Sequence, residues 1–246
     1  MSSDAALAAE LATSAGLLLL EVRSELAGAD PRFRKDEGDR RSHEYLAGAL
    51  AQHRPHDALL SEEGADDKQR VTADRVWIVD PLDGTREFGE DDRTDWAVHV
   101  ALWEKGSLVA GAVALPAQGV TFSTDAPPAL PSPADRIRLV VSRSRPPALV
   151  SALAERLEAE LVPMGSAGAK AMSIVQGLSD AYVHGGGQYE WDSAAPVAVA
   201  RAAGLYTSRL DGSPLRYNQE DVLLPDLVIC RPEIAAVLLP AVAALT

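Results

Sequence analysis

The sequence contains one cysteine, Cys230, among its 246 residues. A single thiol excludes an intramolecular disulfide, and chains without disulfides are typical of a reducing cytoplasm. Because Cys230 follows the apolar run 227–229, we interpret it as a small buried side chain rather than as a nucleophile.

Positive charge is also scarce. The chain has 23 lysines and arginines against 36 aspartates and glutamates, which gives a formal net charge of −13. A chain this acidic repels nucleic-acid polymers and anionic membrane surfaces, so we expect neither as a partner. A small phosphorylated substrate stays compatible with this charge, because a bound divalent cation reverses the local field.

Long apolar runs are missing near the start of the chain. The leucine run 17–20 is too short to cross a bilayer. Asp4 and Glu10 stand where a signal peptide carries positive charge. We therefore expect a cytoplasmic protein that makes no membrane contact.

The most informative motif present is the segment 76–85, Val-Trp-Ile-Val-Asp-Pro-Leu-Asp-Gly-Thr. Its four leading apolar residues predict a short buried strand that stops at Asp80. Asp80 and Asp83, with the Leu82 carbonyl between them, then offer oxygen ligands to a hard cation such as Mg²⁺.

Gly84 and Thr85 complete this motif. Their backbone amides and the Thr85 hydroxyl can face a phosphate beside such a cation. The alternative interpretation is structural: Asp83-Gly84 forms a hairpin turn and Asp80 caps a helix.

Further acids lie at the ends of two other apolar segments. Glu62 and Glu63 follow the run 58–60, and Asp192 stands at the start of an Ala- and Val-rich helical segment. Asp192 is also a good helix N-cap, although a capping carboxylate keeps one oxygen free. Acids at element boundaries suit a site assembled from loop ends on a rigid scaffold.

These motifs resemble, in order, the three signatures of a known family. Glu62-Glu63, the segment 80–85 and the segment 191–195 are similar to those of the inositol monophosphatase superfamily. Its members are lithium-sensitive, Mg²⁺-dependent phosphomonoesterases.

One branch of this superfamily is matched more specifically. The string Asp-Gly-Thr-Arg-Glu-Phe at 83–88 resembles the bisphosphate nucleotidases of the CysQ type. The segments 141–144 (Val-Ser-Arg-Ser) and 165–170 (Gly-Ser-Ala-Gly-Ala-Lys) resemble elements of the same branch. The resemblance covers nearly the whole chain.

The resemblance implies an α/β (α+β) fold, a layered α-β-α-β-α sandwich of two packed subdomains with the active site between them. Four prolines within 126–133 predict an extended connector. We therefore expect an N-terminal α+β subdomain over 1–125 with most metal ligands, a connector over 126–135, and a C-terminal α/β subdomain over 136–246 with the substrate-binding elements.

Local patterns predict the elements around that connector. They are strands at 96–103 and 108–115 joined by a hairpin, then a strand at 137–141, helices at 149–161 and 167–178, a strand at 181–183 and a helix at 193–203.

The resemblance also implies a set of metal ligands for two or three Mg²⁺ ions. Glu62, Asp80 and the Leu82 carbonyl would hold the first ion. Asp80, Asp83 and Asp192 would hold the second, and Glu62 would also serve a weaker third.

The implied catalytic groups are Asp39, Thr85 and Glu62. In the family, an acid on an early helix works with the Thr of the Asp-Gly-Thr motif to activate water. Asp39 matches that acid, but the residues before it depart from the family pattern, so Asp36 is an alternative in register. A solvated charged loop is the structural alternative for both.

Substrate contacts form the widest set. The phosphate is expected to meet the metal-site segment, namely Glu62, Leu82, Asp83, Gly84, Thr85 and Asp192. Ser142 and Arg143 are candidates for a second phosphate, because the arginine fork binds phosphate in a bidentate way. Lys170 is another candidate, and Glu190 can accept a hydrogen bond from a ribose hydroxyl. Each of these four is equally explained as an exposed polar residue.

The function implied is that of a 3′(2′),5′-bisphosphate nucleotidase, which removes the 3′-phosphate of adenosine 3′,5′-bisphosphate, or of its sulfated form, in sulfate assimilation. The alternatives are an inositol monophosphatase or fructose-1,6-bisphosphatase with relaxed specificity, or a non-catalytic metal or phosphate sensor. The five histidines show no paired ligand spacing, so we interpret them as surface or satisfied core residues and predict no zinc site. The sequence leaves monomer and homodimer open.

Overall fold

The computed structural model describes residues 2–144 and 146–246. The α-helices in these ranges are α1 (Asp4–Glu25), α2 (Pro31–His53), α3 (Thr85–Phe88), α4 (Ala148–Leu157), α5 (Ala167–Val175), α6 (Glu190–Ala202) and α7 (Pro232–Ala243). The strands are β1 (Ala58–Ser61), β2 (Arg75–Asp83), β3 (Ala97–Glu104), β4 (Ser107–Leu115), β5 (Val120–Ser123), β6 (Arg138–Ser142), β7 (Glu160–Met164), β8 (Ala181–His184), β9 (Gln188–Tyr189), β10 (Tyr206–Ser208), β11 (Leu223–Leu224) and β12 (Leu227–Cys230).

The first sheet has the order β1-β2-β3-β4-β5. Its strands pair antiparallel except β1 and β2, which run parallel. The predicted hairpin joins β3 to β4, with Lys105 at φ 46° and Gly106 at φ 96° in its turn. The pairing of β2 with β3 is irregular between Asp80 and Asp83, which releases this short segment from the regular ladder.

The second sheet has the order β10-β12-β8-β6-β7. Strand β6 runs parallel to β7 and β8, whereas β12 is antiparallel to β8 and β10. The helix predicted over 149–161 is wrong at its end. Helix α4 stops at Leu157, Glu158 takes a left-handed φ of 51°, and the chain from Glu160 pairs with β6 as strand β7.

The core is divided into three apolar clusters that define five layers. One cluster joins α1 and α2 to the outer face of the first sheet, where Leu7, Leu46 and Trp77 are buried. A second fills the space around α5 and α6 between the two sheets. A third joins α4 and α7 to the far face of the second sheet. The predicted α-β-α-β-α sandwich is therefore confirmed.

Helix α1 is, in the described part of the chain, the one helix long and apolar enough to cross a membrane by length and composition. Its Leu7, Leu11 and Leu19 are buried against the first sheet and α2. A core helix meets the same two criteria, so composition alone does not identify α1 as a membrane span.

The predicted connector lies between β5 and β6, where residues 124–137 form neither helix nor strand. It is not detached from the fold, because Leu130 packs against the central cluster. Pro131 also leaves no room for a side chain at Gly177. The division of the chain into subdomains at 126–135 stays a prediction.

Candidate active site

Asp80 and Asp83 lie at the irregular end of β2. Asp80 is 1% exposed and accepts a hydrogen bond from the Leu82 amide at 3.1 Å. Gly84 follows with φ 83°, a left-handed conformation that favours glycine, and α3 begins at the next residue. From the outer layer, the Ser42 hydroxyl of α2 donates to the Pro81 carbonyl at 2.7 Å. A local hydrogen bond and a hydrogen bond from α2 thus fix the end of this strand.

Asp192 approaches the same place from the central layer. It is the third residue of α6, and its carboxylate accepts a hydrogen bond from the Tyr189 amide. The structural alternative, that Asp192 itself is the N-cap, is therefore corrected: the cap is Tyr189. Carboxylate oxygens of Asp80, Asp83 and Asp192, one from each, lie within 4.8 Å of one another.

Glu62 comes to this group because β1 runs parallel to β2. Ser61 pairs with Val79, and the Glu62 amide donates to the Val79 carbonyl at 3.4 Å. Glu62 is the exposed member of the group, at its solvent side. Partial burial and repulsion by Asp192 still raise the pKa of its carboxyl to about 7.

The pKa values of Asp80 and Asp192 are raised as well, so both carboxyl groups resist ionisation. Burial raises the pKa of Asp80 well above its usual value, and repulsion by Glu62 and Asp83 adds to this effect. Burial, with repulsion by Asp83, raises the pKa of Asp192 to about 6. These acids together carry more negative charge than the surrounding protein neutralises. The ligand atoms that they offer are all oxygens, which suits a hard divalent cation.

Asp83 is the exception among these acids, because donors surround it. Its Oδ2 accepts hydrogen bonds from the Ser166 hydroxyl and the Gly168 amide, and its Oδ1 accepts one from the Ala167 amide at 3.1 Å. Burial opposes its ionisation, but the charge and hydrogen bonding of His99, with these donors, lower its pKa to about 2. Asp83 is therefore an anion held at the start of α5.

His99 is the neighbour that sequence reasoning missed. It is completely buried on β3, with Nε2 3.1 Å from Asp83 Oδ2 and Nδ1 3.0 Å from the Trp191 carbonyl. We predicted the histidines to be surface or core residues, and His99 is a core residue. Its position opposite Asp80 in the β2–β3 ladder is the signal that could have revealed it.

Asp39 and Thr85 come together beside the acidic group. The Thr85 hydroxyl lies 3.4 Å from Asp39 Oδ1 and 3.0 Å from the Leu82 carbonyl. Burial, then repulsion by Glu63 and Glu62, raises the pKa of Asp39 to about 7. Asp36 instead lies exposed, 4.0 Å from Arg32. Of the two registers, the structure brings Asp39 to Thr85.

A cavity of about 590 Å³ opens from the acidic group toward the second sheet. Of the predicted site residues, those that line it are Asp83, Gly84, Ser142, Arg143, Lys170 and Asp192. Glu190 does not. Its two carboxylate oxygens accept hydrogen bonds from the Asn218 and Gln219 amides at 2.6 and 2.7 Å, so the structure does not bring it to a ribose hydroxyl.

The two cations expected to bind a second phosphate differ in their surroundings. Arg143 donates to Glu87 at 2.7 Å and to Glu90 at 2.6 Å, so its charge is already balanced. Lys170 donates to the Gly165 carbonyl and lies 5.3 Å over the ring of Tyr182. Lys170 has no ion pair with a carboxylate of the described residues, and burial lowers its pKa.

Comparison with known proteins agrees with this geometry. The sequence profile of the inositol monophosphatase family matches residues 1–127 and 132–245. A 3′-phosphoadenosine 5′-phosphate phosphatase of Mycobacterium leprae is 52% identical over 96% of this chain and 92% of its own length. The 3′(2′),5′-bisphosphate nucleotidase CysQ of Escherichia coli is 29% identical over 87% of this chain and 94% of its own.

A solved structure of a related protein shows the same fold. CysQ of Bacteroides thetaiotaomicron, at 28% sequence identity, covers 93% of this chain and 97% of its own with a TM-score of 0.77. The inositol monophosphatase family is generally metal-dependent, which agrees with the acidic group formed by Asp80, Asp83 and Asp192. The chain belongs to the inositol monophosphatase family.

Proposed function

We propose that this protein is a Mg²⁺-dependent 3′(2′),5′-bisphosphate nucleotidase that hydrolyses adenosine 3′,5′-bisphosphate to AMP and phosphate. The observation that carries the proposal is one cavity that is lined both by acids of the metal-site group and by Lys170, a cation with no ion pair among the described residues. The 52% identical relative, named for the same phosphatase activity, supports this substrate.

The acidic group would hold two or three Mg²⁺ ions through Glu62, Asp80, the Leu82 carbonyl, Asp83 and Asp192. When bound, these ions supply Lewis-acid stabilisation of the phosphoryl oxygens and lower the pKa of a ligating water. The oxygen-only donors and the raised pKa values of three of the acids support this assignment.

Asp39 and Thr85 would remove the proton from the attacking water. The Thr85 hydroxyl is within reach of Asp39 Oδ1 at 3.4 Å, so it can pass a proton to that oxygen as it takes one from water. A carboxylate whose pKa is about 7 suits a general base at neutral pH. The water oxygen then bonds to phosphorus, the bond from phosphorus to the 3′ oxygen breaks, and that oxygen takes up a proton.

The phosphate that remains on the substrate would lie against Lys170. Burial without an ion-pair partner makes this ammonium group a favourable place for an anion. Arg143, whose charge Glu87 and Glu90 already balance, would act instead by holding α3 and its Asp-Gly-Thr motif. The sulfate assimilation that this activity would serve is compatible with the single cysteine of the chain, which excludes an intramolecular disulfide.

The direct test measures phosphate release from three substrates, with Mg²⁺ and with excess EDTA. We expect adenosine 3′,5′-bisphosphate to be preferred over inositol 1-phosphate and fructose 1,6-bisphosphate, and EDTA to abolish turnover. The Asp83→Asn variant should lose at least about 100-fold in kcat/KM while keeping its circular dichroism spectrum.

Three outcomes would change this proposal. A preference for inositol phosphate would make the protein an inositol monophosphatase. No turnover of any substrate, with Mg²⁺ still bound, would favour a sensor. Full activity in EDTA would exclude the metal-assisted mechanism.

A further inference from the structure

We propose that His99 is a positioning residue that fixes Asp83 relative to the start of α6, so that Asp83 and Asp192 can share one metal ion. The inference rests on the proposed metal site, and it concerns a residue that is not itself a ligand. His99 contacts neither substrate nor a reacting atom in the mechanism above.

His99 bridges two parts of the chain that the metal must bring together. Its Nε2 lies 3.1 Å from Asp83 at the end of β2, and its Nδ1 lies 3.0 Å from the carbonyl of Trp191, the residue before Asp192. The Nδ1 contact has hydrogen-bond geometry, whereas Nε2 lies close to Asp83 Oδ2 without the alignment of a hydrogen bond. One rigid ring thus sets the spacing between the first sheet and α6.

The contact with Asp83 also leaves a defined direction for a cation. Asp83 Oδ2 already meets the Ser166 hydroxyl, the Gly168 amide and His99, whereas Oδ1 meets only the Ala167 amide. The remaining acceptor capacity of Asp83 therefore lies mainly on Oδ1. Partners that orient a ligating carboxylate in this way are typically worth about 10–100-fold in metal affinity.

The packing around the ring permits little movement. His99 is 0% exposed, and a Cβ added at Gly168 would lie 2.1 Å from His99 Nε2. A side chain at Gly168 would displace the ring, because the three atoms nearest to such a Cβ all belong to His99. Gly168 thus offers a second way to disturb the same contact, although its own amide also donates to Asp83.

The test compares His99→Leu, which keeps the bulk and removes both ring nitrogens, with His99→Gln, which keeps a polar group that can donate. Calorimetric titration with Mg²⁺ alone should give a Kd raised about 10–100-fold in His99→Leu and less in His99→Gln. Steady-state kinetics should show a higher Mg²⁺ requirement, with kcat largely recovered at saturating Mg²⁺. A purely structural role would instead lower the melting temperature in EDTA and leave the Mg²⁺ Kd unchanged.

His184→Leu is the matched control. His184 also lies on a strand, β8, and lines the cavity, but it is not among the residues that contact Asp83 or Trp191. Its Mg²⁺ Kd should stay at the wild-type value. If His99→Leu does not fold, Gly168→Ala supplies the same test with the imidazole retained.

Two results separate this inference from the proposed function. A wild-type protein that does not bind Mg²⁺ would overturn the proposed metal site. Wild-type binding together with an unchanged Kd in His99→Leu, or in Gly168→Ala if the first variant fails to fold, would overturn the role of His99 alone.

Discussion

The acidic and the basic residues of the cavity differ in how far neighbouring groups neutralise their charges. At the acidic end, Asp80 and Asp192 are buried beside one another, and burial, with repulsion by neighbouring carboxylates, raises the pKa values of both. Elsewhere along the cavity, Arg143 is bound by two carboxylates, whereas Lys170 forms no ion pair with a carboxylate of the described residues. Charge is thus left unbalanced at two places, which are where a metal ion and a substrate anion would bind.

The contrast shows that proximity to a cavity is a poor guide to what a charged group does. Arg143 and Lys170 both line the cavity. Lys170 forms no ion pair among the described residues, although the charges of nearby carboxylates such as Asp83 and Asp192 act on it, so binding a phosphate there breaks no existing ion pair. A phosphate at Arg143 would have to compete with Glu87 and Glu90, whose contacts are 2.7 and 2.6 Å long.

The largest effect should come from Asp39, the proposed general base beside the acidic group. Asp39→Asn replaces the basic carboxylate beside Thr85 with a neutral amide, and we expect kcat to fall about 100- to 10,000-fold, the usual range for general base catalysis. Asp36→Asn, three residues earlier on the same helix, is the matched control. Because Asp36 is exposed, its substitution should change kcat by no more than roughly twofold.

Steady-state assays with adenosine 3′,5′-bisphosphate check both variants. If Asp36→Asn were the damaged variant, the register chosen here would be wrong. If neither variant lost activity, water activation would not depend on this helix.

The next effect sharpens the comparison of the two cations. Lys170→Met should lower kcat/KM for adenosine 3′,5′-bisphosphate about 10- to 100-fold, because a lost charge-assisted contact costs about 1.5–3 kcal/mol. Adenosine 3′-monophosphate lacks only the second phosphate, so its turnover should barely change. Arg143→Met should lower turnover of both substrates to a similar degree, because it frees Glu87 and Glu90 and loosens α3.

Competing outcomes are distinguishable in the same assays. A selective loss in Arg143→Met would show that the arginine leaves its carboxylates to bind the second phosphate. Equal losses on both substrates in Lys170→Met would assign Lys170 to the structure of α5 rather than to the substrate.

The sequence predicted the acidic end better than the cationic end, for a physical reason. Asp80 and Asp83 lie at the end of the apolar strand β2 and Asp192 lies in the first turn of α6, and element ends meet at the edge of a layered fold. Arg143 and Glu190 have partners that are distant in sequence, namely Glu87 and the amides of 218–219. Such partners depend on how the two sheets face each other, which local patterns do not encode.

The same limit explains the errors in the fold. Residues 158–161, directly after α4, fit a helix by local pattern, but the chain from Glu160 pairs with β6 as strand β7. His99 looked like any residue of an apolar strand until the β2–β3 register placed it opposite Asp80. In both cases the deciding contact joins residues far apart in the chain.

The smallest effect concerns stability without metal. Burial and mutual repulsion raise the pKa of Glu62 to about 7 and of Asp192 to about 6, and they raise that of Asp80 as well. These acids bind protons more tightly in the folded protein than in the unfolded chain. In EDTA, the melting temperature should therefore fall by a few degrees as the pH rises from about 5.5 to 7.5.

Saturating Mg²⁺ should reverse this trend, because cation and proton compete for the same oxygens. The rise in melting temperature caused by Mg²⁺ should thus be larger at the higher pH, which scanning calorimetry can measure. Asp66→Asn is the control, because it removes an acid of an ordinary ion pair. The hydrogen bond from Arg70 lowers the pKa of Asp66 to about 2, so the contribution of Asp66 to stability is constant over this pH interval and the variant should keep the wild-type pH trend. A melting temperature in EDTA that rises over the same interval would show that the acidic end carries no unbalanced charge, and the contrast between the two ends of the cavity would then be lost.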